Sequence, residues 1–418
     1  MTRALLAVLL VTSWAAAAHA EGEVALAGQV QLVAAARALA PADSPLNPGN
    51  RVLRLPQATL TAELRPSLEV RWGTWLTVVA RPRLIGAVAA AHAVGAWDDP
   101  DAAASVLVPE LFAVWQVSDW LALAWGVQNF QWGPGELASP SNALFHETGL
   151  LQDPLYLVQG RHLARANLSV GRELSGVLLV EVSDASAAPF IAREPFSPSA
   201  HAKLEYAEAN GRWLVGVTAS APLEHDPTIG EYGQLQLTDA IALFLDVGHA
   251  HERRAWYPLD GRFVHPAHDA RHLGELVIDT TALVGARWSF ENGGEARVEW
   301  LEHPAGWDEA QLIDATAVVA ASGDVEPWLA PGFELIGRRF VYLALRVPEL
   351  PPAKGVTIQP RVLCSATDRS AAAFVTVSAD VGDATVAFLS ALAIVGEPTD
   401  ELARLVRGAI TVGVINTW

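Results

Sequence analysis

This 418-residue chain has very little cysteine or lysine and no excess of positive charge. Cys364 is the single cysteine, so neither an intramolecular disulfide nor a paired-cysteine metal site can form. Lys203 and Lys354 are the two lysines, and arginine therefore carries nearly all the positive charge. With 28 Lys and Arg against 46 Asp and Glu residues, the net charge is −18. A nucleic-acid partner is not expected, since phosphate binding needs a cationic face.

Long apolar runs are also missing after the first twenty residues. No later stretch of about 18 residues is free of charge, so membrane-spanning helices are not expected. Hydrophobic residues nevertheless make up 51% of the chain, which excludes a disordered protein. The apolar residues must therefore belong to a structure other than membrane-spanning helices.

The first twenty residues resemble an export signal. Arg3 precedes an apolar run over residues 5–14, and Ala18-His19-Ala20 forms a small-x-small cleavage pattern. We predict a signal peptide over residues 1–20 and a mature domain over residues 21–418. A membrane anchor is the weaker alternative, because the run is shorter than the ~20 residues that span a bilayer.

Apolar and polar residues alternate with a period of two through the mature domain. In the segment 276–288, Val284 and Trp288 lie on one face, while Asp279 and Arg287 lie on the other. Such alternation predicts β-strands with one apolar face. Short turns and long polar connections then follow each other in strict alternation. The short turns lie near residues 118–119, 171–175, 210–211, 238–239, 291–294 and 381–383.

Counting the alternating segments gives about 18 strands. An even number of strands returns the chain to the side of the membrane on which it started. In lipid every backbone N–H and C=O group must be paired, so a β-protein can span a membrane only as a closed barrel. We predict an all-β, antiparallel, up-and-down transmembrane barrel with short periplasmic turns and long extracellular loops. A soluble β-sandwich or propeller is the alternative, although it would not separate short from long connections so consistently.

The last ten residues alternate and end on an aromatic side chain. Trp418 falls on the same face as Ile410, Val412 and Val414. This segment resembles the C-terminal strand signal of Gram-negative outer-membrane proteins, which the barrel-assembly machinery recognises. The resemblance implies location in the outer membrane, with outer-membrane lipid and that machinery as partners and Trp418 as the assembly signal.

Charged residues occupy the face opposite the apolar one, which in a barrel faces the lumen. The predicted pore-lining residues are Arg81, Arg83, Arg165, Glu181, Glu205, Asp246, Asp279, Arg287, Arg297, Glu299, Arg346, Arg361 and Asp380. Arginines that face carboxylates would set a transverse field across a water-filled pore. The alternative is that these charges pair with one another and fill the lumen. An 18-stranded barrel leaves room for a channel.

The third long connection, residues 131–160, begins with the most distinctive motif of the chain. Trp132-Gly133-Pro134-Gly135 forces a sharp turn, because glycine accepts positive φ and proline fixes its own φ. General porins use their third loop as a constriction, and this connection stands in the corresponding place. We therefore predict an inward-folded constriction loop that carries Glu136 and Asn142 close to the wall arginines.

The same motif is similar to one in capsule-assembly outer-membrane barrels and, more loosely, to alginate-export barrels. That resemblance implies a plugged barrel that binds or exports surface polysaccharide. The loop tryptophans Trp97, Trp307 and Trp328 would then stack on sugar rings. The helical periplasmic domain of the capsule family is not evident, since alternation begins at Val24.

Two loops show helical patterns, and two others contain residues that could do chemistry. We expect helices over residues 307–321 and 400–407. Histidines between residues 249 and 272 could bind a transition metal, but their spacing matches no compact motif, so no metal or cofactor is expected. Ser139, Ser141 and His146 are close in sequence and suggest a rim hydrolase as a third function. Serine and histidine in one loop do not make a triad, so we expect no enzyme activity.

The sequence therefore favours a porin-like outer-membrane channel for passive diffusion of small polar solutes or saccharides, in a monomer or a homotrimer. A polysaccharide-binding plugged barrel and a rim hydrolase remain the second and third hypotheses.

Overall fold

The computed structural model describes residues 24–93, 96–144, 154–156, 158, 160–183, 197–223, 226–250, 255–265, 279–323, 325–329, 335–350 and 353–418. Within these ranges, the chain forms one closed antiparallel barrel of 18 strands. The first strand pairs with both the second and the last, which closes the ring. The predicted fold class and strand number are confirmed.

The barrel strands are numbered here in chain order. They are β1 Val24–Pro41, β2 Ala58–Trp72, β3 Leu76–Ala90, β4 Asp101–Ser118, β5 Leu121–Gln128, β6 Arg161–Val170, β7 Leu174–Ser183, β8 Ser199–Ala207, β9 Trp213–Pro222, β10 Thr228–Gln236, β11 Ile241–Ala250, β12 Asp279–Ser289, β13 Glu295–Glu302, β14 Arg339–Arg346, β15 Val356–Ser365, β16 Ala371–Asp380, β17 Thr385–Val395 and β18 Val406–Thr417. Among the described residues, two short hairpins lie outside the barrel sheet, His92–Ala93 with Ala96–Trp97 and Tyr257–Leu259 with Arg262–Val264.

The two ends of the barrel differ in their connections. Eight connections of two to nine residues lie at one end, which we call the short-turn end. The other end, the long-loop end, carries nine connections, several of them long. These are L1 42–57, L2 91–100, L3 129–160, L4 184–198, L5 223–227, L6 251–278, L7 303–338, L8 366–370 and L9 396–405.

The outer wall is apolar and carries an aromatic belt. Leucine, valine and isoleucine side chains on alternate strand positions are exposed, for example Leu245, Val284 and Ile410. Exposed tryptophans gather at the short-turn end: Trp72, Trp75, Trp115, Trp120, Trp213, Trp288 and Trp418. Aromatic belts of this kind mark the interface between lipid and water in membrane barrels.

The long-loop end has an apolar core of its own, built around helix α1, Glu309–Ser322. Asp308 caps this helix with a reciprocal capping box to Gln311, so the predicted helix at 307–321 is confirmed apart from its first residues. Trp307 and Trp328 are fully buried in this core against each other. The expectation that both are exposed for sugar stacking is wrong, whereas Trp97 is exposed.

A second short helix, α2, spans Glu326–Leu329. The helix predicted over residues 400–407 is wrong: these residues form turns, and strand β18 begins at Val406. The segment is held by hydrogen bonds to other loops rather than by bonds within a helix. Across the described ranges, no helix has the length and apolar character needed to cross a membrane.

Candidate functional site: the barrel interior

Loop L3 enters the barrel and reaches the opposite wall. The loop leaves strand β5 at Gln128, and the hydroxyl of Tyr342 on β14 donates a hydrogen bond to Glu136 at 2.8 Å. Strand β14 is nine strands from β5 in a closed ring of eighteen, which is half the circumference. L3 therefore crosses the lumen rather than covering the rim.

Two buried carboxylates of the wall hold L3 in place. Glu299 on β13 accepts hydrogen bonds from the backbone N–H groups of Glu136 at 2.9 Å and Leu137 at 2.7 Å. Asp246 on β11 accepts one from the Ser139 hydroxyl and one from the Ser141 N–H, each at 2.7 Å. Both acids are 0% exposed. Buried charges persist where hydrogen bonds compensate them, so each acid is an anchor for L3.

Glycines on the wall make room for the loop. A Cβ atom on Gly230 of β10 would lie 2.4 Å from the Ser141 Cα, and one on Gly248 of β11 would lie 2.1 Å from the Pro140 carbonyl oxygen. Gly133 has a φ of +87°, and a Cβ there would meet Asp246. The glycine-proline motif and these wall glycines are thus explained by one close packing contact.

The later part of L3 contacts the other side of the barrel. Arg65 on β2 donates to the carbonyl oxygen of Pro154 at 2.9 Å, and Arg83 on β3 donates to that of Tyr156 at 3.3 Å. Leu155 packs against Val33 and other inward residues of β1, β17 and β18. L3 is consequently fixed to opposite walls of the lumen.

Glu136, near the tip of L3, is the centre of a charged group. Its carboxylate lies 3.3 Å from Arg297 on β13 and 3.6 Å from Arg361 on β15. Arg297 also pairs with Glu299 at 2.9 Å and donates to the Pro134 carbonyl oxygen. The sequence prediction that Glu136 meets wall arginines agrees with this geometry.

Asn142 does not reach those arginines. It is buried within L3, where its side chain bonds to the Trp132 carbonyl oxygen and to the Leu144 N–H. Trp132 is buried as well, against Leu163, Leu179 and Tyr232 on the inner wall. Asn142 and Trp132 therefore stabilise the conformation of L3 and do not line the open lumen.

A cavity of about 380 Å³ lies beside Glu136, toward the short-turn end. Its charged and polar lining residues are Glu136, Ser289, Glu295, Arg297, Arg346, Gln359 and Arg361. The residues that make it come from L3 and from strands β13 to β15.

The predicted lumen residues lie on inward-facing strand positions, and most of them are paired. Ion pairs along the wall include Arg65–Glu63 at 2.6 Å, Arg83–Glu63 at 3.7 Å, Arg71–Glu69 at 2.5 Å, Arg81–Glu110, Arg161–Glu181 at 2.8 Å, Lys203–Glu205 at 3.1 Å and Arg287–Glu295 at 3.9 Å. Arg165 stacks on Phe130 of L3, with 4.3 Å from its guanidinium carbon to the ring centre. Asp279 begins β12 and Asp380 ends β16. Asp246 and Glu299 face inward but are covered by L3, so they do not meet open lumen.

Several wall charges were missed from the sequence, namely Glu63, Arg65, Glu69, Arg71, Glu110 and Arg161. The alternation along each strand could have identified them, because most of these charged residues are next in sequence to an outward-facing apolar residue such as Leu64 or Val70. Pro66 lies within strand β2 and interrupts the alternation of apolar and polar residues there.

The hydrolase and metal hypotheses gain little from the geometry. The Ser139 hydroxyl is bound to Asp246 and to the Trp132 carbonyl oxygen. His146 and three of the five histidines of the segment 249–272, His251, His268 and His272, lie outside the described residues. No group of three potential metal ligands occurs in the parts of the chain that the structure describes.

Comparison with known proteins gives a similarity of fold without a similarity of sequence. No family model and no curated protein sequence matches this chain. Among solved structures, Acinetobacter baumannii OccAB1 aligns with a TM-score of 0.56 at 11% identity, over 96% of this chain and 98% of that one. Pseudomonas aeruginosa OpdL gives 0.54 at 10% identity, and OccK5 (OpdH) of the same organism gives 0.53 at 10%, each over 94% of this chain and 98% of the other.

Proposed function

We propose that this protein is a porin-like channel of the outer membrane, through which small polar solutes diffuse passively. The observation that carries the proposal is the course of L3, which crosses the lumen and leaves a charged cavity beside Glu136. The similar structures OccAB1, OpdL and OccK5 are outer-membrane porin channels, which supports the same role.

The outer surface supports a membrane location. An apolar wall with a tryptophan belt at one end is suited to lipid, and a closed ring leaves no backbone edge unpaired. We assign the long-loop end to the cell exterior and the short-turn end to the periplasm. A signal peptide over residues 1–20 would provide export. Association of three copies stays a prediction, to be measured by mass in detergent.

Selection in this channel would rest on size and on charge. L3 narrows the passage, so only small molecules pass. Arg297, Arg346 and Arg361 lie with Glu136 and Glu295 around one cavity, which gives opposed charges within a short distance. Such a field orients polar solutes as they pass, without covalent chemistry.

The polysaccharide-binding alternative loses two of its three stacking residues, because Trp307 and Trp328 are buried. The hydrolase alternative relies on Ser139, but its hydroxyl donates a hydrogen bond to Asp246 and so helps to hold L3 in place. Neither is favoured by a specific observation, and the channel is the function that we infer.

Single-channel recording in a planar bilayer tests the proposal. The purified, refolded barrel should give stable current steps, and a salt gradient should give a reversal potential that reports the dominant lumen charge. Refolded protein with the strands of a barrel but without steps would contradict the channel. A vesicle-swelling assay with sugars of increasing size would then locate the size limit of the pore.

A further inference from the structure

Strands β1 to β4 are longer than the rest of the barrel. They have 15 to 18 residues, whereas the other fourteen strands have 8 to 12. Strands rise about 3.3 Å per residue and tilt by about 40° in such barrels, so β1 to β4 reach about 38–45 Å along the membrane normal. We call these four strands the tall wall.

The outward face of the tall wall is apolar along its whole length. Glu63 and Arg83 face the lumen, so the residues on either side of each face outward. Every outward position of these four fully described strands holds an apolar or aromatic residue, glycine or proline. Leu60 and Val106 are 62% and 66% exposed. The hydrophobic band of outer-membrane barrels is only about 25 Å tall, so lipid covers only part of this face.

The opposite wall, β10 to β14, ends at polar residues instead. Its strands have 8 to 11 residues and reach about 20–28 Å along the normal, which matches the lipid. At their long-loop ends, the outward His249 lies 3.1 Å from Glu231 and 3.0 Å from Thr280. Glu302 pairs with Arg339 at 2.9 Å on the same surface. This polar row marks where water begins, and the tall wall has no such row.

The tall wall also contains an interrupted seam. Pairing of β2 with β3 stops at Leu64–Leu84 and resumes four residues further along β2. Within the gap Pro66 stands opposite Pro82, and neither has a backbone N–H group to donate. Unpaired backbone is costly against lipid, which offers no hydrogen bonds. Cover by protein would separate this stretch from lipid and support the wall.

A second copy of this chain has the surface that fits the tall wall. Copies in one membrane share their orientation, so a symmetry axis along the normal brings their tall walls together at equal heights. The face carries no charge by which an unlike partner could recognise it. Small outward residues at its centre, Ala34, Ala62 and Gly86, let two walls approach closely.

The area of the face is sufficient for a stable contact. Four strands that are about 4.8 Å apart and about 40 Å tall present about 800 Å² per copy. Each partner in a stable interface of standard size buries about the same area.

We propose that the tall wall is the surface through which copies of this barrel associate in the membrane. The wall formed by β10 to β14 then faces lipid. This inference goes beyond the channel function and does not depend on it, since each copy keeps its own lumen.

Cysteine cross-linking of the full chain, refolded in lipid vesicles, tests the surface. Cys364→Ser removes the single native thiol. In that background Leu60→Cys places a thiol on the tall wall, and Val284→Cys places one on β12 of the opposite wall; both positions are exposed. A short bis-maleimide should join chains that carry Leu60→Cys and leave those with Val284→Cys single. Chains with Leu60→Cys that stay single would overturn the proposal.

The mass of the assembly in lipid nanodiscs gives a second readout. The original chain should have a multiple of the mass of one chain. Ala62→Trp, which projects a large ring from the tall wall, should give folded single barrels, whereas the matched change Ala286→Trp on β12 should keep the multiple.

Two results of the mass measurement would overturn the proposal. One is a single chain, whether it retains lipid or, after isolation from a host membrane, an unlike protein. The other is a multiple that persists in Ala62→Trp, because the contact would then lie on another face. Neither readout uses current, so a barrel that does not conduct contradicts the channel but leaves the association surface.

Discussion

The carboxylate of Glu299 on β13 accepts a hydrogen bond of 2.7 Å from the backbone N–H of Leu137 in L3. Asp246 on β11 makes an equivalent bond of 2.7 Å to the N–H of Ser141. The two acids thus hold both ends of the segment 137–141 against one wall. Charges inside this barrel therefore have two tasks: some shape the loop, and others remain beside the cavity.

Replacing Glu299 should separate these tasks. Glu299→Gln keeps the size but turns an NH₂ group toward the N–H donors of Glu136 and Leu137. One buried donor then loses its acceptor, at a cost of about 1–3 kcal/mol in the free energy of unfolding. Urea unfolding in lipid vesicles measures this loss. Glu302→Gln, which breaks an exposed pair with Arg339, should change stability by less than about 1 kcal/mol. Equal effects of the two changes would contradict the anchor role.

The close packing of L3 on strand β10 can be tested with one methyl group. Gly230→Ala places a Cβ 2.4 Å from the Ser141 Cα and should displace L3, with a loss of about 1–3 kcal/mol and a changed conductance. Gly233→Ala, three residues along the same strand, has its nearest atom at 3.6 Å and should behave like the original chain. If Gly230→Ala conducts and unfolds as the original does, L3 does not lie where we describe it.

Charge selection should depend on Glu136. Glu136→Gln removes a negative charge from the cavity that Arg297, Arg346 and Arg361 share, so the reversal potential should move toward anions. Arg346→Gln should move it toward cations. Glu291→Gln, in an exposed turn between β12 and β13, serves as the control for net charge. Equal shifts for Glu136→Gln and Glu291→Gln would show that the whole-protein charge, not the cavity, sets selectivity.

The fold could be read from alternation because strand parity is a local property. Residues such as Arg297 and Val298 fall on opposite faces whatever the rest of the chain does. The burial of Asp246 and Glu299 could not be predicted in this way, because it depends on L3, which starts more than a hundred residues earlier. The same holds for Trp307 and Trp328, which looked like exposed loop aromatics until L7 and its neighbours packed over them. The alternation of apolar and polar residues therefore predicted the strands but not the packing of loops that are distant in sequence.

The final residue should matter more for assembly than for stability. The backbone of Trp418 exchanges two hydrogen bonds with Val30, at 2.9 and 3.0 Å, which extends the pairing that closes the ring, while its exposed ring faces outward in the aromatic belt. Because any L-residue can make those backbone bonds, Trp418→Ser should refold in vitro nearly as the original chain does. In a Gram-negative host the same change should lower the amount of folded barrel in the membrane, measured by its faster migration in unheated gels, whereas Trp418→Phe should assemble normally. A serine variant that assembles as well as the phenylalanine variant would mean that the terminal aromatic is not read as a signal. A serine variant that also fails to refold would place its role in ring closure instead.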